Sequence, residues 1–553
     1  MTTVSRLHKL FPFLSWPRPT AALLRSEALA GLAVGLMVIP QGVAYAVLAG
    51  MPPVTGIYAS ILPALMAVLF SASTRLSVGP TALTCLLISA GLTGLARPGS
   101  AEWVQLAIWL ALLSGVLQLA LGFLRFGWLL NLVNAPVLTA FTQAAALLII
   151  GSQLPDLLGL REGYAAALQA TAWHLPSLAF GLGTLALLLA ARRWRPAFPS
   201  VLLIVLGAAG LSVLLGFEAA GGAVVGALPA GLPALTVPAL PELSVLGQLL
   251  LPTLVITLVS FLETASSAKV DNERRGTRWN QDQDLIGQGL GKIAAGFSGA
   301  FPTSSSFSRS ALNLYAGAQT GWATVFSAAV VLVALWVLIP VLHHVPQSVL
   351  AAIVVAAVLG LIKPREFSRL WRIARVEALI AGATFLITLA VSPQLYWGVL
   401  AGVLMSLSFF LYQRLHPRII EVGLHPDGSL RDRHLWKLPP LAPQTYALRM
   451  DAALDFAAAA EFERHVVEFL AAHPDTRHVC LFAQPINHID ATGVDAFLKL
   501  GRQLHEQGVL LHISGMKLPV EKTLLQAGWE LAAPGHRLYR TETETVAALR
   551  ALA

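Results

Sequence analysis

The chain has little charge and almost no cysteine. Of its 553 residues, 12% are charged and 56% are apolar, and the mean hydropathy is +0.70. Soluble domains carry about twice that share of charge, so the composition excludes an ordinary soluble protein and favours one that crosses a membrane many times. The two cysteines, Cys85 and Cys480, exclude a disulfide framework and a cysteine-based metal centre.

The sequence also lacks the motifs of common enzymes. It contains no nucleophile elbow, no phosphate-binding glycine loop and no spaced set of metal-ligand residues. We therefore expect no catalysis, no cofactor and no metal site.

The excess of basic residues does not indicate a nucleic-acid partner. Residues 1–419 carry 24 Lys and Arg against 13 Asp and Glu, a balance of +11, whereas residues 420–553 carry 13 against 16, a balance of −3. The basic excess belongs to the apolar part of the chain, where it sets orientation in the lipid bilayer.

Apolar runs of membrane-spanning length fill the first three quarters of the chain. A span needs roughly 20 predominantly apolar residues, and we count about fourteen such runs in two sets of seven. The first set lies at 27–47, 53–73, 80–95, 103–124, 127–151, 173–191 and 199–217, and the second at 248–270, 284–299, 306–318, 322–342, 347–362, 376–392 and 395–413.

Basic residues alternate between the loops that join these runs. The loops after even-numbered spans hold residues such as Arg75, Arg125 and Arg192, whereas the loop at 218–247 has no Lys or Arg. Cytosolic loops are enriched in Lys and Arg, so the pattern predicts that both termini are cytosolic.

Two spans, the third and the tenth, are short and interrupted. Each follows a proline and opens with small or hydroxyl residues, at Pro80 to Thr84 and at Pro302 to Ser310. Interrupted spans at matching positions of two halves indicate a transporter site built on inverted repeats. Because each half has an odd number of spans, the second half enters the membrane in the opposite direction to the first. The N-termini of the two short helices would then converge from opposite sides and offer unpaired amides to one anion.

Arg309 lies in the tenth of these spans. A guanidinium at mid-membrane depth costs roughly 2.5–3.5 kcal/mol on insertion scales, so such a residue usually faces a cavity and functions there. Beside a helix N-terminus it favours an anion. The alternative is a surface arginine on a cytosolic Ser-rich loop, for which the flanking spans leave little room.

A change in hydropathy near residue 415 marks a second domain. Asp427-Gly428 and the Pro-rich stretch Lys437 to Pro443 indicate a linker. Beyond it, strand and helix patterns alternate, which predicts an α/β domain. The predicted divisions are an N-terminal segment at 1–26, a transport domain at 27–413 with repeats at 27–217 and 248–413, a linker at 414–443 and a cytosolic domain at 444–553.

Several motifs resemble the SulP sulfate-permease family, which includes the mammalian anion transporters pendrin and prestin. The motifs are Val38 to Ala46, Pro52 to Tyr58, Ser77 to Pro80 and Ser306 to Ser310, and the C-terminal domain resembles a STAS domain. The resemblance covers nearly the whole chain. It implies fourteen spans in two inverted seven-helix repeats, as in uracil permease, with a mobile core domain and a gate domain. It also implies a homodimer in a bacterial inner membrane that carries anions by elevator-like alternating access.

The resemblance also implies an anion pocket formed by the first, third and tenth spans. Gln41 would donate through its amide, and Tyr45 would supply an apolar wall with a polar tip. The alternative for both is packing or hydrogen bonding to a neighbouring helix. The implied pocket residues are Gln41, Tyr45, Thr81, Ala82, Phe307, Ser308 and Arg309.

Glu263 is the only acidic residue well inside the eighth span. A carboxyl at this depth can take up a proton and carry it with the anion, so we predict that Glu263 couples transport to protons. The alternative is a static ion pair with Arg309. Lys292, in the ninth span, has no assigned role.

Asp490-Ala491-Thr492-Gly493 occupies the place at which related STAS domains are phosphorylated. Thr492 matches the modified hydroxyl, whereas Ala491 departs from the pattern. A helix N-cap formed by Asp490 or Thr492 explains these residues without a kinase and is the better interpretation.

Three classes of function remain. The first is a proton-coupled symporter of a small anion, either sulfate, bicarbonate or a dicarboxylate such as fumarate, with a small carboxylate or dicarboxylate favoured over sulfate. The second is an anion exchanger or uncoupled channel of the same fold. The third is a nucleobase permease, which would need neutral hydrogen-bonding groups rather than Arg309 and would lack a STAS domain.

Overall fold

The fold consists of a helical unit followed by an α/β unit. A computed structural model describes residues 11–160, 173–194, 200–229, 231–233, 235, 237–531 and 534–551. The boundary between the two compact units falls after Ser406.

Apolar helices form the first unit, and each predicted span coincides with a helix or a pair of helices. By length and composition, eight helical stretches in the described ranges could each cross a membrane. The helices are α1 (Ala21–Leu48), α2 (Pro53–Tyr58), α3 (Leu62–Phe70), α4 (Ala82–Leu92), α5 (Ala101–Phe123), α6 (Ala135–Leu158), α7 (Leu175–Trp194), α8 (Ser200–Leu214), α9 (Leu243–Arg275), α10 (Gln281–Phe297), α11 (Phe307–Tyr315), α12 (Trp322–Val337), α13 (Ile339–Leu342), α14 (Gln347–Val358), α15 (Pro364–Ile373), α16 (Arg375–Ala390) and α17 (Tyr396–Leu415).

Prolines explain where predicted spans divide. The second predicted span is split into α2 and α3, and the eleventh into α12 and α13. Pro63 and Pro340 stand in the first turn of α3 and α13. Proline has no amide hydrogen and clashes with a preceding helical turn, so each helix restarts there.

The helices pack in two groups. In the first, α1 packs against α2 and α12, and α10 packs against α3 and α5, while α9 contacts α4, α5 and α11. In the second, α14 packs against α6 and α7, and α16 packs against α6. Two glycines bring α1 and α2 together, because a Cβ on Gly56 would lie 1.8 Å from the Gly42 carbonyl oxygen.

Helix α15 lies in a segment that the sequence analysis treats as a basic loop. In the structure none of its residues is buried. Charged residues alternate with apolar ones along Pro364–Ile373, so the helix is amphipathic rather than a span.

The second unit contains a six-stranded sheet in the order β4-β3-β5-β6-β7-β8. β3 pairs antiparallel with β4 and β5, and the remaining pairs are parallel. Helices pack against the sheet. The elements are β3 (Ile419–Leu424), β4 (Leu430–Asp432), β5 (Thr445–Met450), α18 (Ala459–Ala472), β6 (His478–Phe482), α19 (Ala491–Glu506), β7 (Leu510–Ser514), α20 (Leu518–Gln526), β8 (His536–Tyr539) and α21 (Glu542–Arg550).

The segment predicted as a linker, 414–443, differs most from the sequence analysis. It contains β3 and β4, and Val422 of β3 is fully buried in the core of the second unit. Asp427-Gly428 forms the turn between these strands, with Gly428 at φ +85°. The turn residues and prolines of this segment are typical of a loop, so the sequence pattern does not reveal the short apolar strand β3 that precedes them.

Candidate anion site

The two interrupted segments meet at a two-stranded antiparallel pair. In this pair β1 (Val78–Gly79) lies beside β2 (Ser304–Ser305), with Val78 opposite Ser305 and Gly79 opposite Ser304. β1 leads into α4 and β2 leads into α11, so the N-termini of two short helices lie next to each other. Helix N-termini carry partial positive charge, and this arrangement is typical of an anion site.

Amides at both helix starts are free to bind an anion. Thr81 caps α4 by accepting from the Thr84 amide, and Ser306 caps α11 by accepting from the Arg309 amide. In the described part of the chain, the remaining first-turn amides have no hydrogen-bond acceptor. These are the amides of Ala82, Leu83, Phe307 and Ser308.

Arg309, in the second interrupted segment, joins the two segments by hydrogen bonds to the first. Its side chain is fully buried, its Nη1 donates to the Pro80 carbonyl at 2.9 Å, and its Nε donates to Ser77 Oγ at 3.3 Å. Its Nη2 has no hydrogen-bond partner among the described residues. Within 4.0 Å the described chain offers it no carboxylate. The cation is therefore fixed beside both helix starts without a paired anion.

Glu263 binds the start of α4. Its Oε2 accepts from Thr81 Oγ1 at 3.0 Å and from Thr84 Oγ1 at 3.1 Å. The static ion pair with Arg309 weighed from the sequence is absent at 4.0 Å among the described residues. A carboxylate at a helix N-terminus is stabilised by the helix dipole. Glu263 thus occupies the end of α4 that the sequence analysis assigns to the transported anion.

Lys292 is a second buried cation, for which the sequence analysis had no role. It is fully buried, and its Nζ contacts Ser260 Oγ at 2.5 Å. The same hydroxyl accepts from Gln118 Nε2 at 3.1 Å, and the Ser260 carbonyl accepts from Ser304 Oγ at 3.3 Å. Lys292 interacts electrostatically with Glu263. Only its apolar surroundings in the sequence, Gly291 to Ala295, could have identified it.

Gln41 and Tyr45 lie on α1 and are both buried. The Gln41 Oε1 has no hydrogen-bond partner in the described chain. Tyr45 interacts electrostatically with Arg309 and Glu263, which places it near the helix starts.

Phe307 and Ser308 differ in exposure from the other predicted pocket residues. Phe307 is 58% exposed and Ser308 is exposed, whereas Thr81 and Ala82 are buried. Ser308 Oγ lies 3.3 Å from Ser306 Oγ. The first turn of α11 is therefore the open side of the candidate site.

In the second unit, Asp490 is the N-cap of α19. Its Oδ1 accepts from the Gly493 amide at 2.8 Å and its Oδ2 accepts from the Phe456 amide at 2.9 Å. Thr492 is exposed, and its hydroxyl makes no hydrogen bond with a described residue. The cap explains Asp490 and does not explain Thr492.

A bundle of apolar helices whose two short helices start beside a buried cation defines a membrane transporter for anions. Family comparison agrees, because residues 24–384 match the sulfate permease family and residues 440–544 match the STAS domain. The chain therefore belongs to the sulfate permease family. The fourteen-span count and the inverted repeat are consistent with that family.

Relatives and solved structures cover most of the chain. A probable sulfate transporter of Mycobacterium tuberculosis is 33% identical over 516 residues, 91% of each chain. Sulfate transporter 4.1 of Arabidopsis thaliana is 30% identical and covers 96% of this chain and 81% of its own. The mouse anion transporter Slc26a9, in an inward-facing structure, superposes with a TM-score of 0.88 at 20% identity, covering 100% of this chain and 95% of its own. The transmembrane domain of the cyanobacterial bicarbonate transporter BicA superposes with a TM-score of 0.60 at 21% identity. The match covers 70% of this chain and 98% of the BicA domain.

Proposed function

We propose that this protein is a proton-coupled symporter of a small oxyanion or carboxylate anion. The observation that carries the proposal is the pair of helix starts with four free amides beside the unpaired Nη2 of Arg309. Because backbone amides bind oxygen atoms of any anion of suitable size, the amides alone do not discriminate between sulfate, bicarbonate and dicarboxylates. The relatives described as sulfate transporters make sulfate the first candidate.

Glu263 couples a proton to the anion by competition. When ionised, its carboxylate takes the two hydroxyl donors at the start of α4 and places a negative charge beside the site. A second anion is then repelled. When Glu263 is protonated, that repulsion disappears and the helix start is available to the substrate.

The fixed charges near the site favour a divalent anion. Among the described residues of the site, Arg309 and Lys292 are the fully buried basic side chains, and the half-buried Glu263 is the carboxylate that interacts with both. If Lys292 carries its proton, the sum is one positive charge with Glu263 ionised and two with Glu263 protonated. A divalent anion is neutralised only in the protonated state, so one proton enters with each dianion.

Movement of the first helix group against the second carries the site across the membrane. The site residues lie on α1, α4, α9, α10 and α11, all in the first group. We further propose that the protein is a homodimer of a bacterial inner membrane with both termini in the cytosol, as the basic loops predict.

Uptake into proteoliposomes tests this function. Labelled sulfate, bicarbonate, fumarate and uracil are offered with and without an inward proton gradient. A gradient of one pH unit supplies about 1.4 kcal/mol per proton, so a symporter of one proton accumulates its anion about tenfold. Uptake of uracil but of no anion would contradict the proposal and favour a nucleobase permease.

Glu263→Gln tests the coupling residue. The variant keeps a hydrogen-bonding side chain but cannot exchange a proton, so its uptake should no longer respond to the gradient. Glu102→Gln, at an exposed carboxylate of α5, is the matched control and should behave as wild type. A Glu263→Gln variant that keeps the full gradient dependence removes the coupling role. Transport in the wild type without any gradient dependence would favour the exchanger or channel.

A further inference from the structure

Three metal-ligand side chains from distant parts of the chain lie together in the first unit. Glu218, His343 and His344 each offer a ligand atom, and these atoms all lie within 4.8 Å of one another. Glu218 Oε2 is 4.0 Å from His343 Nε2, and the two imidazole centroids are 4.7 Å apart. The sequence-based expectation of no metal site considers spacing along the chain, which carries no information about side chains that only folding brings together.

The backbone holds the two contributing segments in place. Gly226 donates to the His343 carbonyl at 3.1 Å, Val225 donates to the Val345 carbonyl at 2.9 Å, and Gln347 donates to the Ala223 carbonyl at 2.9 Å. Phe217, next to Glu218, is buried, and its ring lies 5.0 Å from that of Phe180. The three ligands therefore project from a formed frame rather than from independent loops.

The ligand set selects the class of metal. Two imidazoles and one carboxylate suit zinc and its neighbours among the transition metals, whereas calcium and magnesium require mostly oxygen ligands. Ligand atoms around zinc lie about 2.0–2.2 Å from the metal. Glu218 is exposed and both histidines are partly exposed, so small side-chain rotations can close the cluster on an ion.

We propose that Glu218, His343 and His344 bind a divalent transition metal such as Zn²⁺, and that the bound ion slows transport. Glu218 lies in the connection from α8 to α9, and the histidines lie in the connection from α13 to α14. The first connection leads into α9 of the first helix group, and the second leads into α14 of the second group. An ion bound by both connections adds to the backbone hydrogen bonds between them and further restrains the movement of one group against the other. This second part rests on the proposed function, whereas binding does not.

Binding is tested on the purified full chain in detergent, by equilibrium dialysis with Zn²⁺ and by the visible spectrum of bound Co²⁺. The wild type should bind one more ion per chain than His343→Ala/His344→Ala, and Glu218→Gln should bind that ion at least tenfold more weakly. His416→Ala, an exposed histidine beyond this cluster, is the control and should bind as wild type. Equal stoichiometry and affinity in the wild type and the double variant overturn the proposal. If the double variant does not fold, Glu218→Gln alone decides.

Slowing of transport by the bound ion is tested by measuring anion uptake in washed cells with Zn²⁺ added outside. Uptake by the wild type should fall several-fold and recover when a chelator is added, and Glu218→Gln should not respond. Its uptake without metal should equal that of the wild type. If Zn²⁺ binds as expected and uptake does not fall, the proposed effect on transport is wrong, whereas the proposed metal site stands. If no anion is taken up by any variant, the proposed function fails while the binding result stands.

Discussion

Two side chains decide the chemistry of the candidate site: Arg309 as a fully buried cation and Glu263 as the carboxylate at the start of α4. Arg309 and Glu263 can be recognised in the sequence because burying a charge in a membrane span is energetically unfavourable, and such residues usually have a function. The contacts of these residues were not predictable. Glu263 binds Thr81 and Thr84, which lie far from it in the sequence, and periodicity carries no information about such side-chain pairs.

Arg309 is predicted to be essential for transport. Arg309→Gln removes the buried charge and leaves the Pro80 carbonyl without its donor, so uptake should fall at least tenfold. Arg309→Lys keeps the charge but lacks the planar group that reaches Ser77 and Pro80 together, so its uptake should be intermediate. Initial uptake rates in proteoliposomes measure both.

The exposed Arg97 provides the control for this series. Arg97→Gln should transport as wild type. Thermal unfolding of each purified variant separates loss of folding from loss of function. A folded Arg309→Gln protein with wild-type uptake would show that the charge is not needed.

At the level of helices and strands, prolines and hydroxyl residues located the two short helices correctly. The same signals failed in 414–443, where the Asp427-Gly428 turn joins two strands of a sheet. Strand β8 and helix α21 also went unrecognised. Both elements are short, and most of their residues are polar, so the few apolar residues do not form a recognisable periodic pattern. Local patterns thus identify long elements well and short ones poorly.

The contact between α1 and α2 depends on glycine. A methyl group at Gly56 would lie 1.8 Å from the Gly42 carbonyl oxygen, so Gly56→Ala must force these helices apart. Overpacking costs about 1–3 kcal/mol and occasionally more, and here the obstacle is backbone. We expect a lower unfolding temperature in detergent and greatly reduced uptake.

Gly183→Ala on α7 is the matched substitution. Apart from its own helix, no atom of the described residues lies within 4 Å of the added methyl group, so this variant should be as stable as the wild type or slightly more stable. Equal loss of stability in both variants would mean that the glycine contact is not the cause.

Considered as a whole, the molecule consists of two units, each with its own hydrophobic core. The change in hydropathy near residue 415 is the feature of the sequence that lies near the boundary after Ser406. The second core includes a buried histidine that the sequence did not mark. His512 Nδ1 lies 3.1 Å from the Tyr539 hydroxyl, and its Nε2 lies 3.2 Å from His478 Nδ1. Burial, and then the nearby His478 and Arg537, lower the pKa of His512 from 6.5 to about 4.

His512 should make the stability of the second unit depend on pH. Because its pKa is lower in the folded state, the unfolded chain binds the proton first. Stability is therefore complete above pH 6.5 and falls as the pH drops towards 4. One pKa unit corresponds to about 1.4 kcal/mol, so with some solvent screening the loss is on the order of 2 kcal/mol.

Hydrogen exchange of amides in β6 and β7 of the full chain measures this loss. His512→Gln cannot be protonated, so its exchange, corrected for the intrinsic effect of pH, should vary less between pH 6.5 and 4. Wild type and variant with the same pH dependence would assign the effect to other groups.

The pairing of β1 with β2 has a consequence for the transport cycle. The two helix starts are tied to each other by main-chain hydrogen bonds and by the guanidinium behind them. Whatever displaces one start must displace the other by the same amount. If the proposed movement of the helix groups carries the site across the membrane, the anion travels in a site of unchanged geometry. Its release on the far side then comes from a change in the residues around the site.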